Sequence, residues 1–526
     1  MPNDDLNDDQ TDPGPTAKPA PNDRKRRMRR IAWTVVAIPP LIAIAIGLVL
    51  QYQIYASNRI MDDRSMFPLV ASPQPPKSLL IFGPHCDDEV LGAAGLMYQA
   101  THNGCPVHVV VISNGDGFRI GVSRDFHKIN VAASDFVRYG YMRQNESRTA
   151  LKIVGVQPNH VTFLGYPDRG MMPMLTTNWS PSTPYRSHYT GEIRSPYNNS
   201  ATLKALYCGQ QVLSDIEHQM EIDKPTDIYI THPSDDHPDH AADSIFVRTA
   251  LDRLRTKGEP WAKSATLHYY LVHRGDWPVP QGLNEGFPLP PPAQMVIGET
   301  KWQALPLTHY QVMRKYAAIK RYGSQTEVTG RFLYSFARKN ELFGTVDSGE
   351  ERPLPVVADQ TIRLDGNQDD WRGIAPVDID PASDSIGRAF QGSADVTDVY
   401  LARDSQNLYV RVDMRKPISQ DVSYGISLRP LDNSSNPPPY LRYVVKPGPA
   451  GVVGYASRGA GVQYVWNGSL IEFQVPLAQI PLPKNDPDAT VDVAADSMFA
   501  DLIVDRTGYQ GVAFNPPAKE STVASK

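Results

Sequence analysis

Four apolar residues, Leu79, Leu80, Ile81 and Phe82, run through Gly83-Pro84 straight into His85, Cys86, Asp87, Asp88 and Glu89. A short uncharged run of this kind reads as a strand buried on both faces, and so as part of a parallel sheet. A helical pattern opens directly behind it. Open α/β sheets take their ligands at the carboxyl ends of their strands, which is where the His and the acids fall. Metal-ligand chemistry is therefore crowded onto the rim of an α/β sheet.

The chain beyond repeats this plan. Residues 87–102 are predicted as a helix with Val90, Leu91, Ala94, Leu96 and Met97 on its buried side, stopped by Asn103-Gly104. A second strand is expected at 107–112, a helix carrying Arg143 and Glu146 at 133–154, and a third strand at 160–164 leading to Gly165-Tyr166-Pro167-Asp168. A helix at 203–220 and a fourth strand at 227–231 follow, the strand running into His232-Pro233-Ser234-Asp235-Asp236-His237-Pro238-Asp239-His240. This alternation predicts a Rossmann-like, mostly parallel sheet. All four strands end in residues able to bind a metal or hydrogen-bond a sugar. No Gly-x-Gly-x-x-Gly follows the first strand, which argues against a dinucleotide. Residues 169–200 show neither helical nor strand period and hold Trp179 and Tyr185, so they read as a sugar-facing rim or lid, or else as a Pro-bearing surface insertion.

A catalytic zinc takes three protein N/O ligands and keeps a position open for water. His85 and Asp88, one helical turn apart, can meet one ion. The second cluster offers His232, His237 and His240, and His240 could complete a His-Asp-His set. Asp87 is then free as general base, and a neighbouring His to stabilise an oxyanion or protonate a leaving amine.

His85-Cys86-Asp87-Asp88-Glu89 together with His237-Pro238-Asp239-His240 resembles the paired signature of the PIG-L (LmbE-like) N-acetylglucosaminyl deacetylases. The resemblance extends over about residues 78–345 and includes Tyr322-Gly323-Ser324-Gln325. It implies a zinc-dependent N-deacetylase of Rossmann-like fold acting on a 2-acetamido sugar. It also implies His85, Asp88 and His240 as ligands to one Zn2+ per chain and Asp87 as base. His237 would stabilise the tetrahedral intermediate, Asp239 would orient His237, and Arg143 and Asp168 would touch substrate. Cys86 stands where the family has Pro, and reads as a tolerated replacement. Other readings are another zinc amidase on this scaffold, or a non-catalytic glycan-binding protein with a decayed site.

The chain has 526 residues, enough for two or three domains, and a net charge of -5, which offers nucleic acid nothing. Its three cysteines are too few and scattered for a disulfide framework. Polar residues 1–30 end in a basic cluster, and the uncharged run 31–50 spans about 30 Å as a helix. The expectation is a single-pass cell-membrane anchor with the N-terminus cytoplasmic and all that follows outside. Residues 51–77 then form a tether to a catalytic domain at 78–346, and 347–359 a second linker. Within 360–514, short alternating stretches at 361–364, 396–402, 407–413, 424–428, 441–445, 463–466, 470–476 and 500–504 predict an all-β sandwich. That module resembles a family 9 carbohydrate-binding (DOMON-like) domain through Ile362 to Trp371, Val399 to Asp404 and Leu408 to Val410. Residues 515–526 read as a tail. The expected partners are an acetamido-sugar glycan or glycolipid and the membrane.

Overall fold

The computed structural model describes residues 67–514 (apart from 276, 293–294, 296–299, 347–351, 381–391, 431–439, 457–460, 483–488 and 500–501), with scattered residues between 38 and 61. Most of the expected anchor, 31–50, and the tail 515–526 lie outside the described residues. Among the described residues no helix is long and apolar enough to cross a membrane. Residues 57–526 form one compact unit.

Its first part is a seven-stranded sheet in the order β3-β2-β1-β4-β5-β7-β6. The strands are β1 (Leu79–Gly83), β2 (Val107–Ser113), β3 (Val161–Tyr166), β4 (Asp227–Thr231), β5 (Thr266–Tyr270), β6 (Thr300–Pro306) and β7 (Asn340–Val346). The first five are parallel, and β7 and β6 close one edge antiparallel. The helices are α1 (Asp88–His102), α2 (Arg119–Asp125), α3 (Ala133–Ile153), α4 (Met171–Leu175), α5 (Gly209–Asp223), α6 (Pro238–Thr256), α7 (Pro260–Ser264), α8 (His309–Ile319) and α9 (Gly323–Tyr334). The period of two along β1 sends Leu79 and Ile81 into one core and Leu80 and Phe82 into another, so helices cover both faces. Strand order reverses between β1 and β4, and the two motif clusters leave the sheet at this switch point.

Two expected elements differ. The helix predicted over 203–220 begins only at Gly209, because Lys204 takes a left-handed φ of 55° and Leu206 bridges to Arg194. Residues 169–200 are no lid. They contain α4 and pack inward, burying Trp179, Tyr185, Ser187 and Tyr197.

The second part is a sandwich of two six-stranded sheets, antiparallel except where β8 (Arg352–Pro353) runs parallel to β19 (Gln510–Ala513). Seven of the predicted stretches fall on strands: β10 (Val396–Arg403), β11 (Asn407–Met414), β12 (Ser423–Pro430), β13 (Leu441–Val445), β15 (Gln463–Asn467), β16 (Leu470–Pro476) and β18 (Leu502–Arg506); the short strands β9 (Asp378–Ile379) and β14 (Gly454–Tyr455) join them. Residues 361–364 are bends, not a strand. The longest strand, β17 (Thr490–Phe499), carries Asp492 and Asp496, charges that hide a buried strand in the sequence. Arg429 and Arg248 neutralise Asp492 at 2.7 and 3.2 Å, and Arg442 neutralises Asp496 at 2.6 Å. Trp371 is buried and donates Nε1–H to Glu472 at 2.7 Å, so it is core and no ligand platform.

The sandwich sits on α6. Tyr440, Ala494 and Tyr509 join the core that holds Ile245 and Tyr269, and Arg506 donates to the Pro233 carbonyl at 3.1 Å. The loop and helix that carry His237 to His240 are thus braced from the sandwich side.

Candidate metal centre

Behind β1 the chain turns sharply into α1. Asp87, the residue before the helix, has φ 129° and ψ −32° and makes no capping hydrogen bond with its side chain. An Asp at this position ordinarily caps the helix. Here its carboxylate is free for other work, at a backbone conformation that L residues rarely adopt. Asp88 opens α1 and turns Oδ2 back to accept from the His85 amide at 2.9 Å. From β4 the second loop returns to the same place. His237 caps α6 by accepting the Asp239 amide on Nδ1, Pro238 occupies the first turn as that position allows, and His240 follows inside the helix.

His85 Nδ1, Asp88 Oδ2 and His240 Nε2 form a triangle with edges of 3.3, 3.0 and 3.2 Å. Atoms bound about 2.0 Å from one zinc at tetrahedral angles stand about 3.3 Å apart. The donor set and its spacing therefore fit a small N/O-ligated divalent ion. The His237 ring lies 4.9 Å from each of the other two, and His85, His237 and His240 also form a group able to hold an ion.

Acids surround this triangle. The Asp239 carboxylate stands 3.3 Å from His85 Nε2 and accepts from the Arg169 and Met171 amides at 2.6 and 3.2 Å. Asp168 Oδ1 lies 3.6 Å from the same His85 nitrogen, while its Oδ2 accepts from the Gly117 amide at 3.0 Å. Asp235 Oδ2 lies 3.3 Å from His240 Nδ1 and accepts from the Val272 and His273 amides. Each ligand His thus has a carboxylate on its far nitrogen, which fixes the tautomer that leaves the near nitrogen for a metal.

Burial alone would lower both imidazoles. Asp168, Asp239 and Asp88 outweigh it at His85, and Asp88 with Asp235 raises His240 to about 10. Burial likewise opposes ionisation of Asp88, but the two His neighbours bring it well below the carboxylate range. The site selects positive charge at its centre. His237 goes the other way, pushed well down by burial and then by His240 and His85. Burial raises Asp87 to about 8 against the pull of Arg143, whose guanidinium is 3.2 Å from Oδ1.

All ten residues proposed from sequence are placed, and several in other positions than expected. The Asp239 carboxylate meets His85 Nε2 and the Arg169 and Met171 amides, while its contact with His237 is made by its backbone amide. Arg143 is 4% exposed: it faces Asp87 and donates to the Gly115 and Cys86 carbonyls, so it builds the surroundings of Asp87 and presents nothing to solvent. Trp179 stacks on Phe246 in the core, 5% exposed. Tyr185 is 7% exposed in that core, with burial and the charges of Asp239 and Asp168 among the causes that raise it to about 12. Neither aromatic is a sugar platform. His232 also leaves the set. Its Nδ1 accepts from the Ser234 amide, Nε2 meets Thr300 at 2.8 Å, and its ring stacks on Trp302. Cys86 is fully buried, belongs to no ligand group, and is unbridged like Cys105 and Cys208.

Asp235 belongs to the His/Asp run after β4; His273, which follows β5 with no motif around it and reads from sequence as an ordinary structural or surface residue, stands 4.9 Å from His240.

Residues 80–251, about a third of the chain, match the family model described as PIG-L: GlcNAc-PI de-N-acetylase, and form a domain of that family. No curated protein matches the chain. Among solved structures, the A40926 pseudoaglycone deacetylase Dbv21 is similar at 17% identity over 52% of this chain and 97% of its own, with TM-score 0.32. The N,N'-diacetylchitobiose deacetylase from Pyrococcus horikoshii is similar at 17% identity over 55% and 91%, TM-score 0.31. GalB, a 4-carboxy-2-hydroxymuconate hydratase from Pseudomonas putida, reaches 17% over 50% and 82%, TM-score 0.31. Likenesses of this size carry no argument about reaction or substrate.

Proposed function

We propose that residues 78–346 form a zinc-dependent N-deacetylase that hydrolyses the acetamide of an N-acetylglucosamine-type sugar in a cell-surface glycan or glycoconjugate. The observation that carries this is the 3.0–3.3 Å triangle of His85, Asp88 and His240 beside Asp87, inside the segment that matches a de-N-acetylase family. His85, Asp88 and His240 would hold the ion, which when bound supplies Lewis acidity towards the amide carbonyl and the attacking water. Asp87 takes a proton from that water as its oxygen bonds to the acetyl carbon. Arg143, 3.2 Å away, pulls the carboxylate towards the charged form that can accept it, against the burial that raises it. His237 accepts the Asp239 amide on Nδ1, so its proton sits on Nε2, from which it donates to the oxygen that becomes negative. When the C–N bond breaks, the proton held by Asp87 passes to the sugar nitrogen, leaving acetate and a free amine.

The run 31–50 behind its basic flank leads us also to place the chain in a cell membrane with these domains outside. Acetate release across a panel of acetamido glycans tests the activity. About one zinc per chain and no release after chelation or in Asp87→Ala are expected, and full activity in either case refutes the mechanism.

A further inference from the structure

Glu89 is fully buried next to the metal centre and has no part in the chemistry above. Its carboxylate accepts three hydrogen bonds. Ser147 Oγ and Tyr322 OH donate to Oε1 at 2.6 and 2.8 Å, and the Asp87 backbone amide donates to Oε2 at 3.0 Å. The last bond ties Glu89 to the residue held at φ 129°. A residue in so unfavourable a conformation stays there only if its surroundings over-determine it.

Those surroundings reach far along the chain. Ser147 lies one helical turn beyond Arg143 on α3, and Arg143 holds the other side of the same turn through Asp87 Oδ1 and the Cys86 carbonyl. Tyr322 stands just before α9 and opens the Tyr-Gly-Ser-Gln segment that forms its first turn, which is itself pinned to α3. Glu146 accepts from the Ser324 amide and hydroxyl at 2.9 and 2.6 Å, and Gln325 donates to Tyr139 OH at 2.9 Å. Gly83 leaves the room this needs, since a Cβ there would stand 3.1 Å from Glu89 Oε2.

We infer that Glu89 is a positioning residue: carried by Tyr322 and Ser147, it holds the Asp87 amide and so the strained turn that aims the Asp87 carboxylate. This rests on the reading of Asp87 as the base. It assigns the Tyr322 to Gln325 segment a role, as the distal support of that turn.

Glu89 accepts from three donors, so Glu89→Gln sets an amide NH2 against one of them, while Tyr322→Phe and Ser147→Ala each delete a single donor. A misplacement of about 1 Å at the reacting group costs up to about 100-fold in rate. With each variant loaded with zinc, the inference expects kcat for acetate release to fall about 10- to 100-fold in Glu89→Gln and several-fold in Tyr322→Phe and Ser147→Ala. KM and zinc per chain should stay at wild-type values. Amide exchange at Asp87 should accelerate, and a crystal structure of Tyr322→Phe should show φ at 87 relaxed towards negative values. Unchanged kcat in Tyr322→Phe and Ser147→Ala, or losses that track zinc content, overturns the inference. If Glu89→Gln does not fold, the other two variants decide. A wild-type protein that releases no acetate defeats the proposed function instead, and Asp87 exchange and φ still judge Glu89.

Discussion

Asp239→Asn separates two accounts of the acid between His237 and His240. The carboxylate accepts from the Arg169 amide at 2.6 Å and the Met171 amide at 3.2 Å, and lies 3.3 Å from His85 Nε2. Oδ2 serves both the Arg169 amide and His85, and Oδ1 serves Met171, so an asparagine keeps its oxygen at the Oδ2 place and sets its NH2 against the Met171 amide. His85 then faces a neutral acceptor where it had a carboxylate, and its ring and tautomer are held less firmly with Nδ1 towards the ion. Weakening a partner of a metal-bound His in this way costs about 10- to 100-fold in affinity, or about 1.4–2.7 kcal/mol. A donor left unpaired costs the metal-free protein about 1–3 kcal/mol as well. Competition with a chromogenic chelator at pH 7.5 reads the first quantity and urea unfolding in EDTA the second. At saturating zinc, most of kcat should return. An unchanged zinc affinity with kcat lost at saturating metal would refute this reasoning and return Asp239 to the orientation of His237.

Asp492→Asn removes the charge shared by Arg429 and Arg248 beneath the sandwich, and should lower stability in urea by about 3 kcal/mol, as broken buried pairs do. Trp179→Ala deletes a core ring stacked on Phe246 and should cost about 3–5 kcal/mol, while KM for short and polymeric substrates shifts alike; a selective rise for polymers restores the lid. His232 is held neutral, lowered to about 3 by burial and then by the Arg274 charge, and in that form its Nδ1 accepts from the Ser234 amide. Its folded value lies below the unfolded 6.5, so the unfolded chain binds the extra proton and this stability, complete above pH 6.5, drains as pH falls towards 3. Between pH 6.5 and 5 the loss should be about 1–2 kcal/mol, and His232→Asn should flatten that slope in urea titrations at the two pH values.

Much of the first part is legible in the chain because its signals are local. An apolar strand of period two running into a helix start needs no distant partner to be recognised, and β1 to β4 lie within a residue or two of their predicted bounds. Short alternating stretches behind Gly344 likewise mark most sandwich strands. What escapes is any residue whose neighbourhood is made by a distant segment. Trp179 and Tyr185 sit in a stretch without period, and only packing against α6 and the second core makes them interior. β17 has two acids on a buried strand, and only arginines from β12, β13 and α6 make that tolerable.

The candidate centre divides along the same line. That His85, Asp87, Asp88, His237 and His240 stand on strand-end loops follows from local pattern alone. Which nitrogen faces which oxygen does not. His85 and His240 are 155 residues apart in sequence, and the 3.2 Å between their ring nitrogens exists only because strand order reverses between β1 and β4. Beside Asp235, which shares the β4 loop with His237, the partners behind these residues come from three further segments: Asp168 after β3, Arg143 on α3, and Tyr322 before α9. The sequence by itself determined which residues can do the chemistry, since side-chain type and strand-end position are properties of short stretches. Only the tertiary structure decided which of them hold the others, because hydrogen bonds and buried charges are settled by partners that folding brings together.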